Sequence, residues 1–348
     1  MALYEMTTHK TIRLFANTGH TRASQSGLSL VELMVAMVIS LLLLAGVIQI
    51  FLGSKQSYTV NEGLSRLQEN ARFAFDRIGQ DISASGYMGC NDSGDRDPDG
   101  NLYIHNALTI NNTTKYDFSN PLDGTEGGGP GVSDTLSVRR AITASSVPLA
   151  RQLDTAYSDI QLDNTHPNYA ALEQWQTMAV TDCQRASVFM ITNDPASSAG
   201  VIQHDPGIVS PAGKPNEGQS NAGTLFEGVV RNDLQAPGMG GKSSSEAMII
   251  RVATNTYDIQ MGESGAALFL NGTEFIEGVQ EMQVLYGLDT DGTPGAERYV
   301  EANDAALSDM NQVASVQISL TMNTVDNVQI QGQPVSKTFT QTFRVRNR

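Results

Sequence analysis

The apolar positions of this chain change their period twice. From Leu28 to Leu52 they run almost without interruption, LSLVELMVAMVISLLLLAGVIQIFL. As a helix rising 1.5 Å per residue this stretch spans about 37 Å, enough to cross a bilayer with some tilt. From Val60 onward the apolar residues thin to a stripe of Val60, Leu64, Leu67, Ala71, Ala74, Phe75, Ile78 and Ile82, three or four residues apart. Glu62, Arg66, Glu69, Arg72, Asp76 and Arg77 fall largely on the other faces. That spacing predicts the same helix continuing as an amphipathic one, with a single face packed. It should stop at Ser85–Gly86, with Gly53 and Gly63 as candidate bends.

Past Gly86 the period falls to two. Met248, Ile250 and Val252 alternate, as do Met282, Val284 and Tyr286, then Val316, Ile318, Leu320 and Met322, and finally Phe339, Phe343 and Val345. Each set predicts a strand with one buried face. Asn271–Gly272, set between Leu268–Leu270 and Phe275–Ile276, is the signal for a two-residue hairpin. Segments 91–101, 120–133, 194–222 and 235–245 are rich in Gly, Pro, Ser, Asn and Asp and predict long loops. The expected fold is α+β, a long N-terminal helix packed on an antiparallel β-sheet head. The expected divisions are a polar leader at 1–27, a membrane-spanning half-helix at 28–52, an amphipathic half-helix at 53–85 and a β-rich head at 86–348.

Charge sets the orientation. The chain carries a formal net charge of -15. Lys10, Arg13 and Arg22 against Glu5 make the leader basic. Basic residues before an apolar span and an acidic body after it place the N-terminus in the cytoplasm and the head outside. An acidic head repels phosphate backbones, so nucleic acid is not an expected partner. Arg344, Arg346 and Arg348 form a local basic group whose period of two puts them on the outward face of a last strand, with Phe343 and Val345 inward. Such charges discourage edge-to-edge aggregation.

Two details narrow the meaning of the apolar run. A secretory signal places its small-residue cleavage site after the run, whereas Gly27 stands immediately before it. Glu32 lies inside the run, where a carboxylate costs about 2.5–3.5 kcal/mol on insertion scales. The nearest cations in sequence are Arg22 and Lys55, so the expected partner belongs to another chain. Gly27-Leu28-Ser29-Leu30-Val31-Glu32 resembles the class III signal of type IV prepilins and pseudopilins. The resemblance implies cutting after Gly27 by a prepilin peptidase, N-methylation of Leu28, and a Glu32 carboxylate that pairs with the Leu28 ammonium of a neighbouring subunit. Leu28 stands where Phe or Met is commoner, and Ser29 where Thr is usual.

Residues 65–90 (SRLQENARFAFDRIGQDISASGYMGC), 180–192 (VTDCQRASVFMIT), 279–292 (VQEMQVLYGLDTDG) and the terminal FRVRNR resemble PilW-type minor pilins in particular. The implied fold is pilin-like. The implied role is incorporation into a type IV pilus, in the complex that primes assembly and sits at the tip. Its partners would be other minor pilins, the major pilin and the inner membrane, with a tip adhesin as a further candidate. Implied surroundings are a Gram-negative inner membrane and periplasm, then the outside of the cell. Similarity extends to the J-type pseudopilin of type II secretion, and a membrane-anchored adhesin or binding protein is the remaining alternative. Cys90 and Cys183 both fall inside the PilW-like stretches. A disulfide between them fits a head outside the cytoplasm, and two unrelated buried thiols are the alternative.

Other chemistry is sparse. Asp95, Asp97 and Asp99 with Gly100 match the start of a calcium loop, but Asn106 stands where the bidentate Glu belongs. Asp289 and Asp291 ahead of Gly292 form a second, weaker candidate, for which a hairpin turn is the plainer reading. Calcium is therefore the sole cofactor candidate. Ala236 to Ser243 fits a loose phosphate-loop pattern, yet the strand-like MIIRVAT follows where a helix is needed. The five histidines are scattered and no catalytic constellation stands out. A structural subunit is expected rather than an enzyme.

Overall fold

The computed structural model describes residues 27–89, 104–109, 113–118, 120–127, 133–151, 153, 159–181, 186–223, 225, 247–290, 295–307, 310–325, 328–330 and 332–346. One helix, α1 (Leu30–Ser83), contains both the apolar run and the amphipathic stripe. It runs unbroken through Gly53 and Gly63, so neither glycine ends it. Gly86, in the left-handed region at φ 75°, follows its end, a conformation that costs glycine little. Two compact units divide the chain, 1–58 and 59–348.

Within the first unit, the large apolar side chains between Leu28 and Leu52 are all exposed, none below 48 %. Soluble folds do not leave such a surface to water. Among the described residues this is the one helix long and apolar enough to cross a membrane.

The second unit is two large sheets, two small two-stranded ones (Ile160–Gln161 with Val201–Ile202, and Gln329–Ile330 with Gln333–Pro334) and the rest of α1. The larger sheet takes β1 (Ile104–Asn106), β2 (Leu122–Thr125), β3 (Thr135–Ala141), β4 (Val147–Pro148), β5 (Thr177–Thr181), β6 (Ala186–Met190), β7 (Met248–Gly262), β8 (Gly265–Leu270) and β9 (Thr273–Glu277). Its order is β1-β6-β5-β7-β8-β9. The 15-residue β7 holds it together by changing neighbours along its length. Its first half pairs with β4 and β5, its middle and end with β3 and β8. The smaller sheet takes β10 (Val279–Leu288), β11 (Arg298–Val300), β12 (Val313–Asn323) and β13 (Ser336–Arg344) in the order β11-β10-β12-β13. The expected alternating sets lie on β7, β10, β12 and β13. Asn271 and Gly272, at φ 53° and 76°, make the two-residue turn between β8 and β9. One pairing departs from the antiparallel expectation, since β1 runs parallel to β6.

The central core is where α1 meets both sheets. Leu67, Ala71, Ala74, Phe75, Ile78 and Ile82 pack with Tyr257 and Ile259 of β7, Met282 and Val284 of β10, and Ile318 and Leu320 of β12. The predicted stripe is thus buried from Leu67 onward. Two glycines on the same face permit the contact. A Cβ on Gly63 would lie 2.8 Å from Val328 Cγ1, and one on Gly79 would collide with the Phe343 ring. Gly63 therefore serves close approach.

One buried group is out of place energetically. Tyr286 is fully buried and its hydroxyl has no hydrogen-bond partner among the described residues. Burial, followed by the charges of Asp123, Asp134 and Glu126, pushes its phenol pKa upward. An unpaired buried hydroxyl costs about 1–3 kcal/mol. Tyr286→Phe is therefore expected to match or exceed the wild type in stability, by up to about 1 kcal/mol in a urea titration. A loss of stability would show that the hydroxyl is satisfied by water.

Candidate processing and assembly site

Gly27, Leu28 and Ser29 precede the helix in exposed, non-helical backbone. A Cβ on Gly27 would meet nothing within 4 Å. The Gly27–Leu28 bond thus lies where a peptidase can reach it, because proteolysis requires accessible backbone that is free of regular structure. A cut there would fall before the cap and leave the start of the helix intact.

Ser29 and Glu32 close that start on each other. The Glu32 N–H donates to Ser29 Oγ at 3.2 Å, and the Ser29 N–H donates to Glu32 Oε2 at 3.4 Å. The Ser29 hydroxyl also reaches Glu32 Oε2 at 3.5 Å. This is the reciprocal capping box, which satisfies two helix-end N–H donors that apolar surroundings would otherwise strand. A carboxylate in the first turn is further favoured by the helix dipole. Glu32 thus finds hydrogen-bond partners in its own chain, and the cation expected from a neighbouring subunit would come in addition to them. The Ser-x-x-Glu spacing is itself the signal for such a cap. A carboxylate accepts several hydrogen bonds, so the cap leaves lone pairs for a cation.

At the far end of α1 a second carboxylate is fully buried. Asp81, in the last turn, accepts from Arg140 Nε and Nη2 at 2.8 Å each, both on Oδ1. Its Oδ2 accepts from Tyr257 Oη at 2.5 Å and Asn255 Nδ2 at 2.7 Å, with Arg77 Nη2 at 3.6 Å. The network continues from Asn255 Oδ1 to Asn271 Nδ2 at 3.1 Å. An acid near a helix C-terminus opposes the dipole, so this one depends on its two arginines. Burial, then the Asp81 charge, pushes the Tyr257 phenol up, which keeps it a donor. Asp81 joins the helix to β3 and β7, and Asn255 carries the network on to the β8–β9 turn. No local pattern in the sequence announces Asp81.

Several candidates lie outside the described residues: Cys90, Cys183, Asp95, Asp97, Asp99, Asp291 and the leader cations Lys10, Arg13 and Arg22. Beside the cysteines, Gly89 sits against Thr181, where a Cβ would lie 2.7 Å from Thr181 Cγ2. Asp289 donates its N–H to the Gln312 carbonyl at 2.9 Å, and Glu297 accepts from the Thr290 N–H at 2.7 Å. Glu297 thus closes the loop on itself. Among the described residues no group of three or more His, Cys, Asp or Glu is placed to hold a metal. Trp175 packs in a core cluster with Met88 and Ile250.

Comparison with known families gives two matches. Residues 22–48 match the prokaryotic N-terminal methylation motif, which takes in Gly27, Leu28 and Glu32. Residues 243–347 match the family described as type IV pilus-assembly protein W, from just before β7 to the end of the last strand. No curated protein and no solved structure matches the chain. The two matches bear out the resemblance and support a type IV pilus minor pilin.

Proposed function

We propose that the chain is a PilW-type minor pilin, cut between Gly27 and Leu28, methylated at Leu28 and built into a type IV pilus within the complex that primes assembly at the tip. The observation that carries this reading is the placement of the cut. An exposed Gly27–Leu28 bond stands directly before a capped helix whose first half is lipid-like and carries Glu32 five residues into the processed chain. The prepilin peptidase, other minor pilins and the major pilin are its partners, the helix lies in the inner membrane, and the head is periplasmic before assembly. Its role is structural, since a lipid-facing helix that continues in sequence into a packed head is a device for docking.

The Ser29–Glu32 cap is the waiting state of this mechanism. Cleavage frees an ammonium at Leu28, and the Glu32 carboxylate of an adjacent subunit accepts it while keeping its cap. An ion pair shielded from water is worth most when fully partnered and costs most when not, so departure from the membrane is coupled to docking.

Mass spectrometry of the mature N-terminus, from membranes with and without the prepilin peptidase, tests the reading. A terminal peptide starting at N-methylated Leu28, lost without the peptidase, is the expected result. An uncut terminus in both strains would overturn it.

The head is further held by a Cys90–Cys183 disulfide in this reading, and the Gly89–Thr181 contact supports it by bringing flanking residues together. Closing a loop of this size is worth about 4–5 kcal/mol in the chain-entropy model. Cys90→Ser and Cys183→Ser are each expected to lower stability by most of that amount, and the double variant by no more than either. Additive losses, or free thiols in the purified protein, would point to two separate buried cysteines.

A further inference from the structure

The strand β13 ends its sheet with one side unpaired among the described residues. Its register with β12 runs from Ser315 opposite Arg344 to Asn323 opposite Ser336, and the Val345 N–H continues it to the Ala314 carbonyl. In an antiparallel ladder alternate residues direct their N–H and C=O to the same neighbour. Val345, Phe343, Gln341, Phe339 and Lys337 therefore bond to β12. Ser336, Thr338, Thr340, Thr342 and Arg344 direct theirs outward, and all five are exposed. An open, regular edge of this length is a template for another strand.

Two further features describe what would fit. Beside the edge lies a groove between β13 and the last turns of α1, lined by Phe343, Phe75, Gly79 and Ala84, with a volume of about 480 Å³. Phe343, which lines it, and Phe339 on the same strand are only half-buried. The edge is also basic in an acidic protein. Lys337, Arg344 and Arg346 are exposed, and none makes an ion pair among the described residues. Asp76, also at the groove, faces Arg72 at 3.8 Å.

We propose that β13 receives an extended segment of a different subunit, one that pairs with the outward amides, places an apolar side chain in the Phe343 groove and carries carboxylates opposite Lys337, Arg344 and Arg346. Main-chain bonds supply affinity in such strand addition, and side-chain pockets supply selectivity. A second copy of this chain is disfavoured by charge. Parallel self-pairing stacks like charge on like, and antiparallel self-pairing centred on Thr340 sets Lys337 opposite Phe343 and Arg344 opposite Ser336, which offers the basic side chains no carboxylate. The proposal rests on the chain being an assembly subunit, and it names the surface through which the head makes contact.

The test uses the full-length chain in membranes of cells that assemble it, with a benzoylphenylalanine photo-crosslinker in place of Gln341, an exposed groove-side position. Thr340→Pro removes one outward N–H and leaves the β12 ladder intact, because proline is tolerated where the amide faces solvent on an edge. Arg344→Glu with Arg346→Glu reverses the charge. An adduct with another protein is expected, mapped to an acidic extended segment, and at least fivefold weaker in each variant while the protease-resistant head is unchanged. Three outcomes would overturn the proposal: an adduct insensitive to both variants, an adduct of two copies of this chain, or none at all. The mature N-terminus is read from the same membranes. A methylated Leu28 without an adduct sinks the edge proposal alone, and an uncut chain sinks the assembly reading first.

Discussion

A Glu32→Gln chain is expected to fold, enter the membrane and be cut at Gly27, yet to appear in sheared filaments at least about tenfold less often than the wild type. The substitution separates two jobs that one carboxylate performs. Glutamine serves in a capping box as glutamate does, so the bonds between Ser29 and position 32 survive. What disappears is the negative charge, and a hydrogen bond to a charged group is worth about 1.5–3 kcal/mol, roughly a tenfold or larger change in an equilibrium. Glu32→Ala loses the cap as well and should fall at least as far. Equal incorporation of the wild type and the Gln variant, measured by immunoblot of the filament and membrane fractions, would leave Glu32 as a helix cap and nothing more.

Asp81→Ala should be the most damaging single change in the head, with a loss of about 3–5 kcal/mol. That is the usual cost of removing one partner from a buried ion pair. The loss leaves Arg140 with its charge uncompensated, and the Tyr257 hydroxyl and Asn255 amide without their acceptor. Tyr257→Phe is the calibrating variant. It deletes a single donor to the same carboxylate and should cost about 1–3 kcal/mol. Denaturant unfolding of detergent-solubilised protein, followed by tyrosine and tryptophan fluorescence, measures both. If Asp81→Ala falls no further than Tyr257→Phe, the carboxylate does not organise the cluster.

The difference between these two acids shows what a sequence exposes. Glu32 stands out because a charge inside an apolar run is conspicuous, and its cap partner is three residues away. Asp81 sits on a helix already rich in charge, and apart from Arg77 one turn before it, its partners arrive 59 to 176 residues later. Periodicity carries the stripe from Leu67 to Ile82 and the strands β7, β10, β12 and β13, because each buries one face along its own length. It carries little about strands of two or three residues such as β1 and β4, whose places are fixed by neighbours. The division of the head into two sheets was also hidden, since β7 alternates the same way whether its partner is β3 or β5. Gly63 and Gly79 read as weak points in a helix until Val328 and Phe343, more than 260 residues away, are placed against them.

The buried cluster around Asp81 also decides how the head bears tension. A pull along α1 would load its packed face from Leu67 to Ile82 and, at the last turn, the cluster that ties it to β3 through Arg140 and to β7 through Asn255 and Tyr257. Those bonds share the load instead of breaking in sequence as a peeled strand would. Under a steady pull, the helix should unwind near its exposed turns before it tears from the sheet.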